Sequence, residues 1–291
     1  MARFHKFLVG GIAVFLLATA TQAQNAVLQT ELNLGANVAY SLGVCDSTVM
    51  FSVKETTTGK LNVYEAQWNY PQGTLSNLRL DSELNPTGLN VSCPRLSLDG
   101  KRLYYMEQED NLWHIRTASR DSMNDHWTLG RVLTELQQPG LNAAHQSLSG
   151  DELTIYWDNN TGTDILSATR ASINDVFTNV QPVSSICSFA NSTHGPGITP
   201  DELTMYFNST NEDIFRATRS TKTQPFGNFT RMTFSSSAND WNAYVSPDEN
   251  YVYFWSDRNG QQGIYMAEVP EPVTGLLLVL GGGWLWRRLG K

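Results

Sequence analysis

The chain has 291 residues, of which 41% are hydrophobic and 11% aromatic, enough to build the core of one large domain or two ordinary ones. That makeup excludes a disordered protein, and a formal net charge of −8 with no basic run in its body excludes a nucleic-acid-binding face. Three cysteines, Cys45, Cys93 and Cys187, are too few for a disulfide framework.

The first element is not part of a folded domain. In residues 1–23, "MARFHKFLVGGIAVFLLATATQA", Arg3 and Lys6 precede an apolar stretch from Phe7 to Ala20, and small residues follow. This is the pattern of a secretory signal peptide, cleaved after Ala20 or Ala23. Export to an oxidising compartment permits one disulfide, but spacing supplies no geometry for it. A buried free thiol is the expectation for Cys93.

A short strand is expected at about 26–32, and behind it the chain repeats itself. "SLDGKRLYYM" from Ser97, "SGDELTIYWD" from Ser149, "TPDELTMYFN" from Thr199 and "SPDENYVYFW" from Ser246 share one pattern. Ser or Thr, any residue, Asp and Gly or Glu lead into an apolar aromatic run. A degenerate copy, "GVCDSTVMFS" from Gly43, places Cys45 at the Asp position. A second block follows each copy, and its aligned residues Tyr64, Trp113, Leu166, Phe215 and Tyr265 lie 49, 53, 49 and 50 positions apart.

Each period holds four short β-rich runs separated by Gly, Asn, Asp and Pro, with no long helical periodicity. In the third they fall near 143–149, 153–158, 163–169 and 178–184. Four strands per period is the blade of a β-propeller. The fold class is therefore all-β over residues 24–268: a five-bladed propeller of four-stranded antiparallel blades, with six blades as the alternative. The last period ends at its third strand near Glu268, so the N-terminal strand is expected to complete it and close the ring. Asp99, Asp151, Asp201 and Asp248 recur at one turn and are read as turn formers, because Asp bonds its own nearby backbone. The aromatics of each second strand are expected to pack between blades.

The last copy, "SPDENYVYFWSDRNGQQGIYMAEV", resembles the WD40-like repeats of TolB-type propellers, and the resemblance runs through most of the chain. It implies the fold but no activity, since such propellers bind partners as often as they catalyse.

The final element reads "VPEPVTGLLLVLGGGWLWRRLGK". Val269, Pro270, Glu271 and Pro272 end any preceding strand. The apolar run from Val273 to Trp286 would reach about 21 Å as a helix, short of a bilayer core of about 30 Å. Arg287, Arg288 and Lys291 behind it would hold that end in the cytoplasm. These three parts, in this order, resemble the PEP-CTERM sorting signal of Gram-negative bacteria. The resemblance covers residues 269–291 and implies an exosortase-type processing enzyme as partner. It also implies transient anchoring in the inner membrane, then cleavage and delivery from the periplasm to the cell surface or extracellular matrix, commonly in bacteria that make exopolysaccharide.

Propellers usually bind ligands at the central funnel, on the face where the innermost strands begin. The approaches to those strands carry Asn37, Asn90, Asn142, His145, His194, Trp241 and Asn242, and neighbouring loops carry Asp158, Asn160, Asp164, Asp213, Asp257 and Arg258. Asn90, Asn142, His145, His194, Trp241, Asn242, Asp158 and Arg258 are the candidate ligand-binding residues. An aromatic-rimmed polar funnel suits a glycan or a protein loop; equally, Asn and His satisfy loop backbone. "DNNTGTD" (158–164) is a weak calcium candidate through Asp158, Asn160 and Asp164, with Gly162 where a ligand belongs. No other cofactor is expected. His114 and His126 lack metal spacing. No Gly-x-Ser-x-Gly, His-Glu-x-x-His or phosphate loop occurs.

Three functions follow. The first is a non-catalytic exported module binding a glycan or protein in the envelope or exopolysaccharide matrix. The second is a secreted carbohydrate-active enzyme. That reading is weakened because the inner strands carry few acids, whereas glycosidases need a pair. The third is a TolB-like periplasmic accessory protein.

Overall fold

A computed structural model describes residues 26–69, 73–159, 164–209 and 212–269. The expected signal peptide, residues 1–23, and residues 270–291 of the expected sorting signal lie outside that range. Among the described residues, twenty strands form five four-stranded antiparallel sheets. β1 (Val27–Leu28) stands apart from the first blade, which is β2 (Val38–Cys45), β3 (Thr48–Lys54), β4 (Leu61–Asn69) and β5 (Thr74–Leu80). The second is β6 (Val91–Leu96), β7 (Arg102–Glu109), β8 (Leu112–Ser119) and β9 (Thr128–Val132). The third is β10 (Ala144–Leu148), β11 (Thr154–Asp158), β12 (Ile165–Thr169) and β13 (Thr178–Pro182). The fourth is β14 (Thr193–Ile198), β15 (Thr204–Ser209), β16 (Ile214–Thr218) and β17 (Gly227–Arg231). The fifth takes β18 (Asp240–Val245), β19 (Tyr251–Ser256) and β20 (Gly263–Glu268) from the end of the chain and β1 from its beginning. Val27 pairs with Met266 and Leu28 with Tyr265, so one sheet holds both ends of the domain.

Burial explains the repeated aromatic runs. The second strand of each blade is buried on both faces, while the fourth strands β5, β9, β13 and β17 are mostly exposed. A continuous apolar run is what a strand sandwiched between neighbouring sheets requires. Five hydrophobic clusters each bridge two adjacent blades. Met50 meets Leu103 and Tyr105, Tyr104 meets Ile155 and Trp157, Tyr156 meets Met205 and Phe207, and Tyr206 meets Val252 and Phe254. The fifth cluster joins Tyr253 and Trp255 to Val49, Phe51 and Leu32, closing the ring.

The turn between the first two strands works as its sequence implies. The Ser or Thr hydroxyl donates to the Asp carboxylate at 2.6 Å in Ser97–Asp99, Ser149–Asp151 and Thr199–Asp201, and at 2.5 Å in Ser246–Asp248. The same carboxylate oxygen accepts the backbone N–H two residues on. The next residue is left-handed: Gly100, Glu152, Glu202 and Glu249 have φ of 66°, 59°, 62° and 58°. Blade one departs from the expected alignment. Cys45 pairs with Thr48 across the tight turn Asp46–Ser47, so it ends the strand rather than standing at the Asp position. Its thiol donates to Leu98 O of the next blade at 3.1 Å.

Candidate functional site

Every innermost strand carries a β-bulge, at Tyr40, Cys93, His145, Gly195 and Asn242 in blades one to five. The last four have positive φ, between 49° and 59°. A bulge re-aims side chains and breaks the ladder, leaving a backbone N–H to be satisfied at each one. In blades two to five the preceding blade supplies the acceptor. Met106 Sδ takes the N–H of His145 at 3.1 Å, Asp158 Oδ2 that of Gly195 at 2.7 Å, and Asn208 Oδ1 that of Asn242 at 2.9 Å. Cys93 N–H goes to Ser41 Oγ at 2.9 Å.

At this level the central channel is plugged. The buried Arg95 guanidinium of blade two reaches across the axis to Asn242 Oδ1 of blade five at 3.2 Å, and Asn242 Nδ2 donates to Cys93 Sγ at 3.4 Å. Arg95 also lies over the Tyr244 ring, 5.0 Å from its centroid. Blades two and five are not neighbours, so these contacts span the channel.

Above the plug, on the face where the inner strands begin, lies a pocket of about 320 Å³. Its walls include Tyr40, Lys54, Leu61, Cys93, Met106, Trp113, His145 and Trp241. Tyr40 and Trp241 meet edge to face at 5.0 Å, and Trp255 backs both at 5.6 Å and 5.1 Å. The Lys54 ammonium stands 5.9 Å from the Tyr40 ring. Burial, helped by the neighbouring Cys93, pushes the Tyr40 hydroxyl up to about 12, so it stays a neutral donor. Below the plug a smaller cavity of about 50 Å³ is lined by Arg95, Ser147 and Tyr244 among others.

His145 Nδ1 is 3.0 Å from Asp158 Oδ2. Burial alone would raise the Asp158 carboxyl; the His145 contact and the Gly195 N–H outweigh it and hold Asp158 below the ordinary carboxylate range. An ionised Asp158 can only accept, so His145 Nδ1 is the donor in this contact.

Of the eight residues expected at the funnel, His145 and Trp241 line the pocket, with Asp158 behind His145. The others are placed elsewhere. Asn90 Oδ1 accepts the N–H of Leu61 at 2.9 Å, and Asn142 Oδ1 that of Trp113 at 2.8 Å, the same staple one blade apart. Asn242 belongs to the plug. His194 Nε2 is 2.9 Å from Glu212, and Arg258 is 2.7 Å from the fully buried Asp240. Asn37 accepts from Thr56 N–H, Asp213 pairs with Arg231, and Asp257 binds Asn239. Of the calcium trio, Asp158 is engaged as described and Asn160 lies outside the described residues. Among the described residues no three His, Cys, Asp or Glu side chains come together as a metal cluster. Val269, the first residue of the expected sorting signal, donates its N–H to Asn250 O at 2.8 Å.

Tyr40, Lys54 and Trp113 were not among the residues expected at the funnel. Tyr40 stands at the bulge of the first inner strand, just before the degenerate copy, while Lys54 comes from the β3–β4 hairpin and Trp113 from the start of β8. An aromatic at the first copy's bulge was the available signal.

No protein-family model matches this chain, and no curated protein does. Among solved structures it is similar to a GH62 hydrolase in complex with xylotriose, at 9% identity over 84% of this chain and 97% of that one, with a TM-score of 0.54. It is also similar to an α-L-arabinofuranosidase from Podospora anserina in complex with cellotriose, at 9% identity over 85% and 95%, with a TM-score of 0.53. A TolB-type protein from Agrobacterium tumefaciens aligns at 16% identity over 76% and 70%, with a TM-score of 0.49. At such identities the likeness is one of fold alone.

Proposed function

We propose that this protein is an exported, surface-sorted propeller that binds a glycan at its upper funnel without transforming it. The observation that carries this reading is the pocket of about 320 Å³ walled by Tyr40, Trp113 and Trp241. Aromatic faces offer the apolar C–H surface of a sugar a flat partner, while Lys54, His145 and the Tyr40 hydroxyl supply polar contacts to its hydroxyls. Hydrolysis by the usual route needs two carboxylates about 5 to 9.5 Å apart across the sugar. The lining of this pocket contains no Asp or Glu among the described residues. That two similarly folded proteins hold cellotriose and xylotriose is consistent with an oligosaccharide ligand.

Export and sorting rest on the sequence of the two ends. The propeller is complete at Val269, directly before the Pro-Glu-Pro segment, so processing there would leave the closed ring whole. The partners in this reading are an exosortase-type enzyme and a matrix glycan.

The test is a glycan array probed with the full chain and with Trp241→Ala, coupled to chromatography of each bound glycan after incubation. Binding lost in the variant with no product formed supports the reading. Product formation would replace it with the carbohydrate-active enzyme, and binding unchanged in Trp241→Ala would move the site elsewhere. An intact "RRLGK" end on surface protein, seen by mass spectrometry, would rule out the sorting step.

A further inference from the structure

We propose that the floor of the funnel is a binding site for one soft monovalent cation, Cu(I), held by Cys93 Sγ, Met106 Sδ and His145 Nε2. Cysteine sulfur, thioether and imidazole all line the same pocket. Cys93 and His145 occupy the equivalent bulge in adjacent blades, with φ of 49° and 51°, and both are thereby turned off their strands. Cys93 and Met106 pack together, with Trp113 against them, and Met106 Sδ is 3.1 Å from the backbone N of His145.

Three features fit a metal better than packing alone. Met106 stands where the third and fourth blades place Asp158 and Asn208, whose oxygens cap the next bulge. Sulfur is the weaker acceptor for that N–H, so capping does not explain the choice of methionine. His145 has its Nδ1 tied to Asp158, the second contact that orients a ligating imidazole and leaves Nε2 free to bind. Cys93 is a free, buried cysteine whose sulfur accepts a hydrogen bond from Asn242 Nδ2 at 3.4 Å, which fixes where the sulfur sits. A set of two sulfurs and one nitrogen selects Cu(I) over calcium or magnesium, which require oxygens. The site shares His145 with the glycan reading, but its two sulfurs, Cys93 and Met106, have no part in that reading, so a titration without glycan tests the metal site by itself.

The full chain is titrated anaerobically with Cu(I) in competition with the chelator bicinchoninate. One equivalent binds, and Met106→Leu and His145→Gln each weaken it roughly tenfold or more, while Cys93→Ser weakens it further. The double variant Cys45→Ser/Cys187→Ser binds as the parent does. Met106→Leu nearly conserves volume but removes the acceptor of the His145 N–H, so melting temperatures establish that each variant is folded at the temperature of the titration. X-ray absorption of the loaded parent shows both sulfur and nitrogen neighbours. Failure to take Cu(I) from the chelator, binding lost with Cys45 and Cys187, or Met106→Leu and His145→Gln binding as tightly as the parent would overturn the site.

Discussion

Tyr156 in the third blade donates its hydroxyl hydrogen bond to Glu202 Oε2 in the fourth at 3.0 Å, and the same pairing joins Tyr104 to Glu152 at 2.9 Å one blade earlier. Each Glu sits at the left-handed position of the Ser-x-Asp turn. Its blade's conserved-in-repeat arginine completes the link: Arg219 donates to Tyr156 Oη and Arg170 to Tyr104 Oη, and each lies over a ring, Phe226 at 4.3 Å and Phe177 at 4.4 Å. The repeat thus stitches blades through polar groups as well as apolar ones.

This arrangement sets two effects against each other in Glu202→Gly. Relief of a left-handed side chain returns about 1–2 kcal/mol. Removing one partner from a buried charged network costs about 3–5 kcal/mol. The net expectation is a loss of about 2 kcal/mol, read from urea unfolding. A stabilised variant would mean that the network contributes nothing.

Asp158→Asn and Asp158→Ala separate capping from charge. Asn208 caps Asn242 N–H in the next blade with an amide oxygen, so an amide at 158 should serve Gly195 equally well. Asp158→Asn is expected to fold with little loss. Asp158→Ala leaves the buried N–H without an acceptor and costs about 1–3 kcal/mol. Equal destabilisation in both would show that the His145 contact, not the cap, is what matters.

Acid should loosen the turns before it protonates the folded carboxylates. Burial alone would raise Asp99, Asp151 and Asp248, but the serine hydroxyl and the turn N–H overcome it and hold all three below their ordinary value. The unfolded chain therefore takes up protons first as pH falls. The stabilisation is fully present above about pH 4 and is lost as pH drops through the lower folded values. Urea midpoints measured from pH 6 to 3 should fall with acid, and Asp→Asn at all three turns should flatten that slope. An unchanged slope would contradict the assignment.

Closure depends on a very short strand. Leu32, fully buried beside Val49 and Trp255, anchors the segment that follows β1. Leu32→Ala should cost about 2–5 kcal/mol. Deleting residues 26–33 should bare the edge of β20 and promote strand-edge association, visible by sedimentation. A deleted chain that stays monomeric and equally stable would show that the seam is incidental.

The ring was legible because one unit recurs five times, and because "LYYM", "TIYW", "TMYF" and "YVYFW" can be strands only if both faces are covered. The site was less legible because binding residues need not recur. Asn90 and Asn142 look like funnel groups by position, yet each follows the backbone N–H it binds by the same 29 residues, the mark of a structural staple. Tyr40, Lys54 and Trp113 meet only when blades one and two lie side by side, and no spacing within one period reveals that. The shortened turn at Cys45 escaped because an ungapped alignment hides a two-residue deletion.

Indole resonances give the most direct view of the funnel. The chain labelled with ¹⁵N on its tryptophans is titrated with the oligosaccharide that binds it best on the array. Trp113 and Trp241 should shift in step with binding while Trp157, sealed between blades three and two, stays fixed. A titration that leaves both funnel indoles unmoved would contradict a glycan held there.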